Sequence, residues 1–198
     1  MPSLSVLALI GANLIPLFGV LFWSWSLSAV MVLYWSENVV IGLFNVLKMA
    51  LARGEVKDSG MRLNNQQVTA AHRIPLIVFF MVHFGMFTLG HGVFVFILFG
   101  KDLPAFSILL PAFLSLILSH GISFGVNFIQ KGEYQRVSFP SLFLQPYKRI
   151  VIMHLTIILG AWASAAWQLP EASLFILIGL KVIVDLFSHK KEHQKFRG

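Results

Sequence analysis

The run "IPLIVFFMVHFGMFTLGHGVFVFILF", residues 74–99, contains no Asp, Glu, Lys or Arg. A helix of ~20 apolar residues already crosses the hydrocarbon of a bilayer, so this run is too long for a core helix and reads as a membrane span. Comparable runs recur along the chain. Together they predict an all-α fold: a single transmembrane domain over residues 1–198, built as a six-transmembrane-helix bundle. The spans fall at about 3–25, 27–53, 74–99, 104–130, 147–168 and 171–189, followed by a basic tail at 190–198. Charged residues make up only 12% of the chain, and a soluble domain carries roughly twice that share. The opening "MPSLSVLALIGANLIPLFGV" lacks the basic region that precedes a cleaved signal peptide, so it reads as a retained first helix.

A net charge of +7 in a soluble protein would suggest nucleic acid. Here the distribution of charge argues against nucleic acid and for membrane orientation. Of the 15 Lys and Arg, all but Lys101 and Lys181 lie in or beside the 53–73 loop, the 131–149 loop and the C-terminal tail. These three regions share one side of a six-span bundle, and the positive-inside rule makes that side, with both termini, cytoplasmic. Trp23, Trp25 and Trp167 then fall at the outer helix ends, where an aromatic belt belongs. The segment "SFPSLFLQP" reads as an amphipathic stretch along the interface. With no cysteine, thiol catalysis and disulfides are excluded.

Imidazoles and charges inside a bilayer are costly, so depth selects the functional candidates. With each span centred on the midplane and a rise of 1.5 Å per residue, His83, His120 and His154 fall ~5 Å to the cytoplasmic side. Asp185 lies slightly deeper on that side, with Lys181 one turn away. Glu37 and His91 fall ~5–7 Å to the outer side, forming either a second site or the far end of one polar channel. His72, His189 and His193 fall near the surface. Asn38, Asn45 and Asn127 read as amides bridging helices.

Three imidazoles and a carboxylate form the ligand set of a zinc or iron site with an open position for water. The expectation is therefore a divalent metal held by His83, His120, His154 and Asp185, with His91 as a further candidate ligand. Glu37 and Lys181 are the candidate catalytic groups, although Lys181 and Asp185, spaced i, i+4, also suit an intrahelical ion pair. Such a site implies a membrane-embedded enzyme, a metal-dependent hydrolase or oxidoreductase, acting on a lipid-like or small apolar substrate among membrane lipids. Three alternatives remain. Haem could sit between His83 and His154. The chain of Glu37, His91, His83, His120 and Asp185 could serve a proton- or cation-coupled transporter or channel. The "GISFG" of residues 121–125 resembles G-x-S-x-G and would make Ser123 a rhomboid-like nucleophile, but a continuous membrane helix lacks the strained elbow this motif needs. The simpler reading is that Gly121 and Gly125, at small-xxx-small spacing, let helix 4 pack closely.

The segments "YWSENVV", "HFGMFTLGHGVF", "SHGISFGVNFI", "QPYKRIVIMH" and "LKVIVDLFSHKKEH" resemble the motifs of an uncharacterised bacterial family of small polytopic membrane proteins, known only as a domain of unknown function. The resemblance runs from helix 2 onward. It implies a bacterial inner-membrane setting and no particular activity.

Overall fold

The computed structural model describes residues 15–16, 18–56, 61–63, 65–147, 149–151, 154–155, 158–159 and 162. Most of the expected first span, the sixth span with Lys181 and Asp185, and the basic tail lie outside these residues. The described chain is mostly helical. Residues 18–23 are helical and form α1; α2 is Leu27–Leu51, α3 is Arg73–Phe99, and α4 is Phe106–Ser123, continued by a π-helical segment, Phe124–Gln130. Two short helices follow, α5 (Glu133–Arg136) and α6 (Phe139–Leu144). Another helix, α7, is helical at 147, 149–151, 154–155, 158–159 and 162. One small departure from an all-α chain is a two-residue hairpin, β1 (Arg62–Leu63) against β2 (Gln66–Gln67), turned at Asn65 with φ +62°. Three stretches are long and apolar enough to cross a membrane: Leu27–Leu51, Ala70–Phe99 and Phe106–Gln130.

Helix α2 starts abruptly because Ser24 takes a left-handed φ of +51° and the Ser26 side chain accepts a bond from the Ala29 N–H. It ends where the Arg73 guanidinium donates to the carbonyls of Ala50 and Ala52 at 3.1 and 2.6 Å, satisfying the orphan acceptors of a helix terminus. α2 is the centre of the bundle. Its apolar window is 67% buried, against 33% for α3 and 22% for α4, so α3 and α4 leave much of their apolar surface uncovered while α2 is enclosed.

α3 runs antiparallel to α2. Phe84 packs beside Gly42, Trp35 lies over Gly92, and the Trp35 indole N–H donates to the Thr88 carbonyl at 2.7 Å. α4 packs on another face of α2, burying Leu109, Ala112 and Leu116 against Ala29 and Leu33. Trp25 joins that cluster and is only 5% exposed, whereas Trp23 is 62% exposed. Trp23 therefore suits an interfacial belt and Trp25 does not, because the tight turn rolls its ring inward over Gly19.

The 131–149 region differs from the expected surface amphipath. Phe139, Pro140, Leu142 and Phe143 of α6 are buried with Met49, Leu76, Phe80 and Phe84, and the Asn45 amide donates to the Leu142 carbonyl at 3.2 Å. The close-packing glycines also differ. Gly121 has ordinary clearance from Phe44, and a Cβ at Gly125 would meet nothing within 4 Å among the described residues. A Cβ at Gly42 or Gly92 would lie 2.6 or 2.8 Å from the Phe84 or Trp35 ring.

Gly92→Val should therefore push α3 off Trp35 and destabilise the fold by about 1–3 kcal/mol, as overpacking does. Gly90→Ala, which meets nothing within 4 Å, should leave stability unchanged or slightly raised. Thermal unfolding of both variants in detergent checks this, and equal midpoints would contradict the packing.

Candidate functional site

The α2–α3 pairing sets the level of the polar residues. With Gly42 opposite Phe84 and Trp35 opposite Gly92, Glu37 on α2 lies within about one turn, ~5 Å, of the level of His91 on α3. This is the outer pair expected from depth. Glu37 is 3% exposed and His91 6%. A carboxylate held that far from water needs compensating partners, and two cationic or ionisable groups approach it. Arg149 Nη1 of α7 lies 3.5 Å from Glu37 Oε1, and His120 Nε2 of α4 lies 3.9 Å from the same oxygen. The guanidinium is near contact distance, but 3.9 Å is too long for an imidazole–carboxylate hydrogen bond. His120 Nε2 is fully buried and has no hydrogen-bond partner among the described residues; its ring stacks 6.3 Å from that of Phe44. The site is thus a buried carboxylate flanked by a guanidinium and an unbonded imidazole nitrogen.

Among the described residues, α7 makes polar contacts with α3 as well. Tyr147 Oη is 3.0 Å from His83 Nδ1, and His154 Nδ1 is 3.0 Å from His91 Nε2. The pairs 83–147 and 91–154 ascend together, so α7 runs parallel to α3. The His91 Nδ1 sits 2.6 Å from the Phe87 carbonyl, one turn back. A carbonyl only accepts, so Nδ1 carries the proton. In the neutral ring Nε2 is then a lone pair, and His154 Nδ1–H donates to it.

This arrangement corrects the expected grouping. His83, His120 and His154 do not converge: they pair with Tyr147, Glu37 and His91 respectively. Tyr147, not His154, is level with His83. The offset from residue 147 to 154 is seven residues along the helix, or ~10 Å. Its cause is α6, which folds inside the bundle under α2 and α3 and lifts the start of α7 into the apolar region. Among the described residues no group of three or more His, Asp or Glu is placed to hold a metal, and Asp185 and Lys181 lie outside them. The His83–His154 pairing needed for haem is likewise not formed. Ser123 has ordinary helical angles of φ −60° and ψ −43°, and its hydroxyl accepts from the Asn127 amide at 3.4 Å. No strained elbow and no imidazole partner among the described residues supports a nucleophile there. Asn127 bonds within its own helix, whereas Asn45 does bridge helices. His72 is a surface residue whose Nδ1 accepts from the Thr69 N–H at 3.1 Å.

Arg149 is the residue that sequence reasoning missed. In sequence it is one of the basic residues expected on the cytoplasmic side, and only its position just after Pro146 at the start of an apolar run hints that it could be drawn inward. The π-helical turn after His120 was equally unforeseen. There the N–H of Lys131 bonds to the carbonyl of Val126, five residues back, and Gly132 at φ +69° ends the helix. Short π segments inside helices recur at functional sites.

The profile of DUF6498, a family of unknown function, matches residues 1–198. The chain belongs to the DUF6498 family. No curated protein and no solved structure matches it significantly. For this DUF6498 member, the buried Glu37, clustered with Arg149 and His120, is the strongest candidate site.

Arg149→Ala should destabilise the protein by about 2 kcal/mol, because it leaves a buried carboxylate with one partner fewer. Adding Glu37→Gln should restore much of that loss. A double-mutant cycle on unfolding in detergent measures the coupling, and additive effects would show that the contact carries no energy.

Proposed function

We propose that this is a multi-pass bacterial inner-membrane protein of six helices with both termini cytoplasmic, working as a proton relay. The reading rests on one observation, the sharing of Glu37 Oε1 between Arg149 at 3.5 Å and His120 at 3.9 Å. In a low-dielectric site the carboxylate and guanidinium balance one another while His120 is neutral. A proton taken up by the His120 ring creates a second cation beside the same oxygen, and attraction to it draws Glu37 away from Arg149. Arg149 is half-open at 28% side-chain exposure, so it has somewhere to go. Proton uptake would thus loosen α7 from α2, a discrete switch.

Orientation has supporting observations. The C-terminus of α2, the N-terminus of α3 and the end of the π segment meet at one end of the bundle. Lys48, Arg53, Arg73, Lys131 and Arg136 gather there, with Lys48 over the Phe128 ring, Arg53 over Tyr134 and Arg73 over Phe139. Such a basic end belongs in the cytoplasm. The helix of His120 departs from regular α-helix one turn on, at Phe124–Gln130, an irregularity of the kind that recurs at functional sites.

The test is proton flux into proteoliposomes holding a pH-sensitive dye, driven by a potassium diffusion potential. The native protein should conduct protons well above empty vesicles, and His120→Gln or Glu37→Gln should lower the flux at least tenfold. Flux equal to that of empty vesicles, or unchanged in both variants, would overturn the proposal.

A further inference from the structure

The His91–His154 pair is not used by the proton switch. We propose that these two side chains form a transition-metal site, binding one zinc-like divalent cation and clamping α3 to α7. The facing nitrogens are 3.0 Å apart. Two imidazole nitrogens on one tetrahedral zinc, each at about 2.0–2.1 Å, stand ~3.3 Å from one another. The nitrogens therefore need to part by only a few tenths of an ångström, while each ring turns so that the lone pair now directed along the N···N line points to a shared ion beside it. Their planes meet at 87° with centroids 5.2 Å apart, so neither ring stacks across the other's nitrogen.

The hydrogen bond behind His91 completes the case. Its Nδ1–H is held by the Phe87 carbonyl at 2.6 Å, the outer-shell contact that fixes the tautomer of a metal-binding histidine and leaves Nε2 for the ion. His91 is buried on α3, whereas His154 is exposed, so one ligand is fixed and the other has room to turn. On binding, the His154 proton moves from Nδ1 to Nε2, and no proton is lost from the pair. An all-imidazole pair favours zinc, copper or nickel over magnesium or calcium. The remaining coordination positions are left for water or an anionic group.

The site uses neither Glu37 nor His120 and stands independently of the proton switch. Its test is zinc binding by calorimetry to tag-free protein in detergent, with His72, His189 and His193 replaced by Gln to remove other imidazoles. The expected result is one zinc per chain, with affinity lowered at least tenfold by His91→Gln or by His154→Gln and unchanged by His83→Gln. Magnesium should give no saturable heat. The exposed position of His154 makes His154→Gln the variant least disturbing to the fold, and its helical circular dichroism should match that of the parent. Absence of saturable zinc binding, or binding that survives loss of either histidine, would overturn the proposal.

Discussion

The buried charge of Glu37 is the constraint from which the described bundle is best understood. α2 is enclosed on several sides, so its carboxylate cannot turn to water and must be met from within. Arg149 meets it. A guanidinium on a long stem reaches where a shorter cation would not, at the depth that the buried α6 gives α7. The same depth sets Tyr147 opposite His83 and His154 opposite His91. Three polar contacts from one helix, two to α3 and one to α2, therefore share a single register. A slip of α7 by one turn would break all three.

The electrostatics of this arrangement are asymmetric. Glu37 and Arg149 compensate each other, but His120 Nε2 is buried beside them without a hydrogen bond among the described residues. An unmade bond of that kind costs about 1–3 kcal/mol in an ordinary interior, so it marks a place where a proton, a water or a small shift brings a gain. It lies on the same helix as the π turn at Phe124–Gln130. The Phe44 ring touches both His120 and Phe124, at 6.3 and 5.7 Å between centroids, which gives a packed route from the imidazole to the irregular turn.

Much of the fold was legible in sequence. The expected spans 27–53, 74–99 and 104–130 match Leu27–Leu51, Ala70–Phe99 and Phe106–Gln130 within a few residues at each end, because uninterrupted apolar length and the turns between runs carry that signal directly. Depth along α2 and α3 was legible too, and Glu37 and His91 do lie near one level. Lateral pairing was not. Hydropathy says how deep a residue sits but not which face of the helix it occupies, so three histidines expected at one level fell into three separate contacts. The error at His154 has one origin, in "SFPSLFLQP". Its Phe and Leu residues suit an interface as well as a core, and only the tertiary fit of Phe139, Leu142 and Phe143 under α2 and α3 decides between them. Trp25 was misplaced for a related reason, since a tryptophan at a helix end fits a belt or a turn packed inward.

The register of α7 on α3 can be read directly, because the chain contains no cysteine. Cross-linking of paired cysteine variants in isolated membranes by a short bifunctional thiol reagent is the measurement, because the long His and Tyr side chains meet across a gap too wide for a direct disulfide. The structure predicts efficient cross-linking for His91→Cys with His154→Cys and for His83→Cys with Tyr147→Cys, and none for His83→Cys with His154→Cys. Cross-linking of His83→Cys to His154→Cys in place of the other two pairs would return those histidines to one level, take Arg149 away from Glu37 and contradict the account.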